Sequence, residues 1–437
     1  MAAANQYPLE PKPLPPLAGE LVNAPVEATP VLPVPARRET TAHEKLEDAA
    51  FRAACAWKLC ETNGDLAALE ERRKEIEASL RSAVQSAKKI ERANFAKWVD
   101  SKWLLDNFIL FRLCLHDVKA TFAGAKDLPQ VERGKMRRAP RAYAIAESYL
   151  ETVDYKFDPK SFSIFVNAAQ RDASLTFAEI AMMKAFVQLA MLEKVTEIVN
   201  AVFASDAPAI QASAAPAEAE NGSTAQPVLP AIVPSFRCIV DMAWRDIFEE
   251  VSPVARILRE DPAAAYAKMD ADGRENYRRV IANLSERSTW DEERIARKAV
   301  ELAATAQAAT TLRGRERRAH AGYYLVDGGL KTLRTVIGYR PKISERFHDA
   351  ILRWPEIAYL IAIEAITLGI MTAIFSIPGA GFAAVLVAIL FFFPVLDCAM
   401  SIINLLATLI VPPRRLPRLD FSEGLPPECA TMVVVPT

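Results

Sequence analysis

Histidine is almost missing from this 437-residue chain, and the four copies, His43, His116, His320 and His348, stand far apart. None shows the i, i+3 or i, i+4 spacing that lets one helix present two imidazoles to a metal ion. Each reads as a surface or packing residue. Six cysteines (Cys55, Cys60, Cys114, Cys238, Cys398, Cys429) never form a CxxC pair, and residues 1–40 lack the apolar core of a secretory signal, so the thiols read as reduced and structural. No GxSxG elbow and no phosphate-binding glycine loop occurs. A net charge of −1, from 53 basic and 54 acidic residues, gives no global field for nucleic acid. With 15 glycines and 51% hydrophobic residues the chain is Ala-rich and β-poor, which points to a mainly α protein.

What is present is helical periodicity between two unusual ends. Residues 1–40 hold nine prolines, including Pro13-Leu-Pro-Pro16. Such a composition buries too little surface to offset backbone entropy, so a disordered, partly polyproline II tail is expected. A helical domain over 41–203 follows. Asp65 is placed to cap a helix in which Leu66, Leu69, Ile76, Leu80 and Ala83 recur at three- and four-residue steps, with Arg73 interrupting the seam. That pattern suits packing within the chain better than a coiled-coil dimer. Trp98, Trp103, Leu104, Phe108 and Phe111 mark an aromatic-rich helix, Pro140 and Asp158-Pro159 open two more, and Ser174-Leu-Thr-Phe-Ala-Glu179 reads as a capped start of a fourth.

Residues 204–233 form an Ala/Pro linker without periodicity. A second helical segment spans 234–354. Trp244, Ile247, Val254, Ile257 and Leu258 give one amphipathic face, and Asp261-Pro262 is expected to end it and start another helix. The neighbouring carboxylates Glu249 and Glu250 read as part of a solvated helix face. The basic run Arg313-Gly-Arg-Glu-Arg-Arg318 suits either solvent or anionic lipid head groups.

The strongest physical signal lies at 355–411. Residues 357–377 carry a single charge, Glu364, and residues 382–411 a single charge, Asp397. At 1.5 Å per residue each run is long enough for a hydrocarbon core of about 30 Å, the second with tilt or a kink at Pro394. The four-residue link Pro378-Gly-Ala-Gly381 permits only a hairpin with both outer ends on one side of the membrane. Arg340, Lys342, Arg346 and Arg353 precede the hairpin and Arg414, Arg415 and Arg418 follow it, so the positive-inside rule places the helical region in the cytoplasm. Arg353, Arg414, Arg415 and Arg418 are the basic anchors of that side. Inside the apolar runs, Glu364, Asp397 and Asn404 are the polar candidates, because an intramembrane carboxylate needs a partner or water. Glu364 and Asn404 lie at depths of about 11 and 10 Å, close enough in level to share a hydrogen bond, while Asp397 lies about 21 Å deep and needs another partner. They line a path for a polymer or proton, or they hold the hairpin against helices outside this sequence; the second reading is preferred.

Residues 412–437 read as a junction that stops inside Thr431-Met-Val-Val-Val-Pro436, a β-branched run suited to the first strand of a parallel α/β domain. The expected architecture is therefore cytoplasmic helical bundles, a two-helix transmembrane hairpin, and the opening strand of a domain lying beyond residue 437.

Several stretches carry a resemblance. Asp420-Phe-Ser-Glu-Gly-Leu-Pro-Pro-Glu-Cys-Ala-Thr-Met-Val-Val-Val-Pro-Thr437, preceded by Ile410-Val-Pro-Pro-Arg-Arg-Leu-Pro-Arg418, resembles the junction before the glycosyltransferase domain of cyclic β-1,2-glucan synthases. His320-Ala-Gly-Tyr-Tyr-Leu-Val-Asp327 with Gly338-Tyr-Arg-Pro341, Asp261-Pro262 with Tyr266 and Met269-Asp270, and Trp103-Leu-Leu-Asp-Asn-Phe108 resemble the same family's N-terminal region. The likeness covers about residues 95–437; the Ala/Pro linker and the Pro-rich tail depart from it. It implies a large bacterial-type inner-membrane enzyme that polymerises glucose from UDP-glucose in β-1,2 linkage and cyclises the chain. The nucleotide sugar and a divalent metal would be held by the domain beyond Thr437, so no catalytic, cofactor or metal residue carries over and no cofactor is expected in this chain. Its expected partners are the lipid bilayer, that downstream domain and the glucan polymer. The reading that follows is a non-catalytic, membrane-anchoring N-terminal portion of such an enzyme; the alternative is a free-standing membrane scaffold or regulator.

Overall fold

The computed structural model describes residues 41–60, 63–89, 95–133, 137–204, 229–306, 317–376, 381–410, 418–422 and 424. The Pro-rich tail, most of the Ala/Pro linker, Arg414, Arg415 and the Thr431–Pro436 run lie outside the described residues. The class is mainly α.

Helix α1 (Ala42–Cys55) and α2 (Ala67–Ala87) open the described chain. The cap position of α2 is not Asp65, as expected, but Leu66, which makes no side-chain cap bond; Asp65 Oδ1 accepts from Ala67 N at 3.2 Å from one residue further out. Leu69, Ile76, Leu80 and Ala83 are buried against α3 (Phe95–Ala123) and α6 (Phe177–Ala204), which absorbs the apolar seam inside the chain. Full burial of side chains of this size contributes about 1.5–3 kcal/mol each. Arg73 also points inward, 3% exposed, and is held by Glu70 (2.7 Å) on one side and Glu77 (2.9 Å) on the other. A buried cation with two carboxylates three and four residues away is tolerated where an unpaired one is not.

A small antiparallel sheet, which the sequence reading did not anticipate, joins β1 (Lys58–Leu59), β2 (Gln130–Arg133) and β3 (Arg137–Pro140), with Leu59 opposite Val131 and Val131 opposite Ala139. Pro140 ends β3 and begins α4 (Arg141–Thr152). Asp158 caps α5 (Pro159–Ala169) by accepting from Ser161 N at 2.8 Å, with Pro159 in the first turn where its missing N–H costs nothing. Thr176 and Glu179 form a reciprocal capping box at the start of α6: Thr176 N donates to Glu179 Oε2 (2.9 Å) and Glu179 N to Thr176 Oγ1 (3.3 Å).

Helix α7 (Leu229–Asp241) starts within the stretch read as linker. It and α8 (Trp244–Val251) pack into the first core, which runs from Leu46 to Val251. A second core begins at Val254 and ends at Ile337, built from α9 (Pro253–Leu258), α10 (Ala271–Ser285), α11 (Glu292–Thr305), α12 (Ala321–Val326) and α13 (Leu330–Val336). No helix starts at Pro262. Ala264 instead takes φ +49°, and a single 3-10 turn at Tyr266–Lys268 leads to α10, capped by Asp270. The two cores meet through polar contacts, including Phe177 N donating to Glu292 Oε2 at 2.9 Å and Arg256 Nη2 donating to Asn167 Oδ1 at 3.4 Å.

Helix α14 (Ile343–Arg353) leads to the apolar pair α15 (Pro355–Phe375) and α16 (Gly381–Ile410). These two pack side by side through Ile363, Thr367, Val395, Ala399 and Ile403.

Candidate functional site

The polar groups of the apolar hairpin are the candidates to place first. At 1.5 Å per residue, α15 spans about 32 Å and α16 about 45 Å, enough for each to cross a bilayer. Both are apolar enough to do so over Pro355–Ala373 and Ile389–Leu409, and only 17% of each of those windows is buried. Asn404 Oδ1 accepts from the Tyr359 hydroxyl at 3.0 Å, which ties the two helices at the level nearest their outer ends. The anticipated Glu364–Asn404 bond does not form; the side-chain partner of Asn404 is Tyr359. Glu364 and Asp397 are both exposed on the hairpin and have no hydrogen bond or ion pair among the described residues. Asp397, Ser401, Asn404 and Thr408 fall at steps of four, three and four, and all four are exposed. At 100° per residue they share a stripe turned away from Val395, Ala399 and Ile403.

The ends of the hairpin return to one body. After the hairpin, Leu419 pairs with Met269 in an antiparallel bridge: Asp270 N donates to Arg418 O at 3.0 Å and Asp420 N to Lys268 O at 2.9 Å. Residues 418–420 are thereby fastened to the loop that opens α10, on the second helical core that also leads into α14 and α15. The Ser422 N–H holds the Asp420 carboxyl below the usual carboxylate range. Of the basic anchors, Arg353 is exposed, with its guanidinium carbon 5.7 Å from the Trp354 ring centroid, and Arg418 is exposed on the bridge.

The loop that receives this bridge rests on a polar network that sequence reasoning missed. Glu249, taken as solvated, is 9% exposed; its Oε1 accepts from Arg259 (3.1 Å), and its Oε2 accepts from the Tyr266 hydroxyl (3.2 Å) and is in contact with Arg278. Its neighbour Glu250 is exposed. No helical periodicity signals this: at 100° per residue Glu249 lies on the side of α8 opposite Trp244, Ile247 and Val251. On the other side of the loop, Asp261 is buried and accepts from Ala321 N at 2.9 Å, while His320 Nδ1 caps α12 by accepting from Gly322 N at 2.7 Å. His320 is thus a capping and packing residue. A Cβ at Gly322 would stand 2.0 Å from the Tyr277 hydroxyl, so only glycine fits there. Arg317, the described end of the basic run, pairs with Asp327 at 2.7 Å.

Elsewhere, burial raises the Glu292 carboxyl to about 7, although the Phe177 N–H works against the shift. A groove of about 890 Å³ lies between α10, α13 and α14, lined among others by Arg287, Arg334, Tyr339, Glu345 and Asp349. Among the described residues no group of three or more His, Cys, Asp or Glu side chains is placed to hold a metal ion.

The chain is 31% identical over 226 residues, half of its length, to the cyclic β-(1,2)-glucan synthase NdvB of Rhizobium meliloti (strain 1021). The two are related. The matched part is 8% of that protein, so the present chain corresponds to a small portion of a much longer one. No protein-family model matches the chain.

Proposed function

We propose that this chain is the non-catalytic, membrane-anchoring portion of a glucan synthase-like glycosyltransferase, in which UDP-glucose is polymerised by a domain lying beyond residue 437. The observation that carries the reading is the return of residues 418–420 to the loop at 268–270. An apolar hairpin whose two ends meet the same helical body keeps that body, and whatever follows residue 420, on one face of a bilayer. The basic residues at both outer ends, Arg340, Lys342, Arg346 and Arg353 before it and Arg414, Arg415 and Arg418 after it, make that face the cytoplasmic side of a bacterial inner membrane, where a nucleotide sugar would be available. Similarity to a glucan synthase over half the chain supports the class of enzyme. Within the membrane, Asp397, together with Glu364, packs against helices of the larger protein, since lipid offers these carboxylates no partner.

Three measurements test the proposal. An immunoblot of native cells with an antibody against residues 42–92 should show a band several times larger than 48.2 kDa. A band at 48.2 kDa would replace the anchor with a free-standing scaffold. A reporter fused after Arg418 should be active only in its cytoplasmic form, and periplasmic activity would overturn the hairpin topology. Glucosyl transfer from UDP-glucose by residues 1–437 alone would overturn the non-catalytic assignment.

A further inference from the structure

Helix α14 presents a face that no described residue covers. Glu345 accepts from the Tyr339 hydroxyl at 2.8 Å, and Asp349 approaches Arg334 at 3.7 Å, so the acidic side of the helix is turned onto the second core. At 100° per residue, Ile343, Ala350 and Trp354 fall within about 20° of one line, roughly 120–160° around the helix from those two carboxylates. Ile343 is 86% exposed and Trp354 62% exposed, and Ala350 is exposed between them. Arg346 and Arg353 run along one edge of this stripe, both exposed. Leu352, 38% exposed, lies on the far side and is not part of it.

The occupant follows from continuity. Trp354 alone leaves the helical region, at φ −137° and ψ 70°, and the next residue, Pro355, begins the first apolar span. If α14 continued straight out of the bilayer, its 11-residue length would carry Ile343 about 16 Å into water. Bent at Trp354, the same helix lays its apolar stripe at the level of the head groups with the two arginines beside phosphate, and its acidic side still faces the protein. An apolar stripe edged by arginine and ending on an aromatic residue suits the surface of an anionic bilayer.

We propose that α14 is an interfacial helix that lies in the plane of the cytoplasmic leaflet, with Ile343, Ala350 and Trp354 in lipid and Arg346 and Arg353 on anionic head groups. This rests on the membrane reading of α15 and α16. The test uses the full chain reconstituted in liposomes of anionic phospholipid, with a tryptophan added by Ile343→Trp and, as a control in the small sheet, by Leu59→Trp. Both sites are exposed, so neither change disturbs packing. Carbonate extraction comes first. For an extraction-resistant chain, the emission added at 343 should shift to shorter wavelength and be lost when brominated lipid is included, while that added at 59 is unchanged. The charge-reversed pair Arg346→Glu and Arg353→Glu should remove the quenching at 343. A chain that resists carbonate but shows the same water-exposed emission at 343 and 59 overturns the interfacial helix alone. Quenching that survives charge reversal, or that is equal in zwitterionic liposomes, overturns the role of anionic lipid. A chain released by carbonate overturns both this proposal and the membrane reading.

Discussion

Replacing Arg141 by methionine tests how the first core is pinned together. Arg141 opens α4 and reaches across to the start of α6, where its Nε and Nη2 donate to both oxygens of Glu179 at 2.8 and 2.7 Å. The same guanidinium donates to Ala173 O (3.1 Å) and Ser174 O (2.9 Å). Glu179 is fully buried, and without Arg141 its charge keeps only the Thr176 N–H and hydroxyl. Removing one partner of such a pair costs about 3–5 kcal/mol, most of it from the carboxylate left behind. At roughly 2–4 °C per kcal/mol for a cooperative unit of about 200 residues, the Arg141→Met variant should unfold about 10 °C lower. The double variant Arg141→Met with Glu179→Leu removes the stranded charge and leaves mainly the loss of the capping box, about 1 kcal/mol, so it should be more stable than Arg141→Met alone. Thermal unfolding of the detergent-solubilised full chain measures both, and hydrogen exchange at the first-turn amides of α6 shows whether the damage is local to that end. A loss below about 2 °C for the single variant, or a double variant no more stable than the single, would refute the reasoning.

Three further outcomes are expected. Glu292 has a folded pKa of about 7, above its unfolded value, so the native state holds this proton longer than the unfolded chain and stability falls as pH rises from about 4.5 through 7. The loss is at most about 3 kcal/mol; Glu292→Gln should flatten the pH dependence of the midpoint over that window, and an unchanged slope would show that another group carries it. Gly322→Ala forces a methyl into the Tyr277 hydroxyl and should cost about 1–3 kcal/mol, read as a lower unfolding midpoint with loss of protection in α12. Asp420→Pro removes the N–H that donates to Lys268 O, a bond worth about 0.5–1.5 kcal/mol, and should speed protease cleavage after Arg418 without moving the main unfolding transition. Unchanged cleavage would mean that the bridge does not hold the return segment.

Where a single helix carries its own signal, the residues spoke for themselves. Asp158-Pro159, Thr176 with Glu179, and the alternating seam of α2 each specify a start or a face within a few residues, because capping and burial periodicity act over one or two turns. The apolar runs around Glu364 and Asp397 were equally plain, since about 20 residues with one charge is a property of composition. The small sheet was not, because strands of two to four residues hold no repeat to read and β1 pairs with β2 across more than 70 residues of intervening chain. Nor was the burial of Glu249, which depends on Arg259, Arg278 and Tyr266 arriving from later in the chain. The partner of Asn404 was misread for a related reason: depth along two helices places groups at one level, but their rotation decides which of Tyr359 and Glu364 arrives. Local residue pattern specifies most of the helices, the caps at Asp158 and Thr176, and the two apolar spans. Tertiary structure alone decided that residues 418–420 return to the loop at 268–270, because one bridging residue pair separated by 150 positions leaves no local pattern.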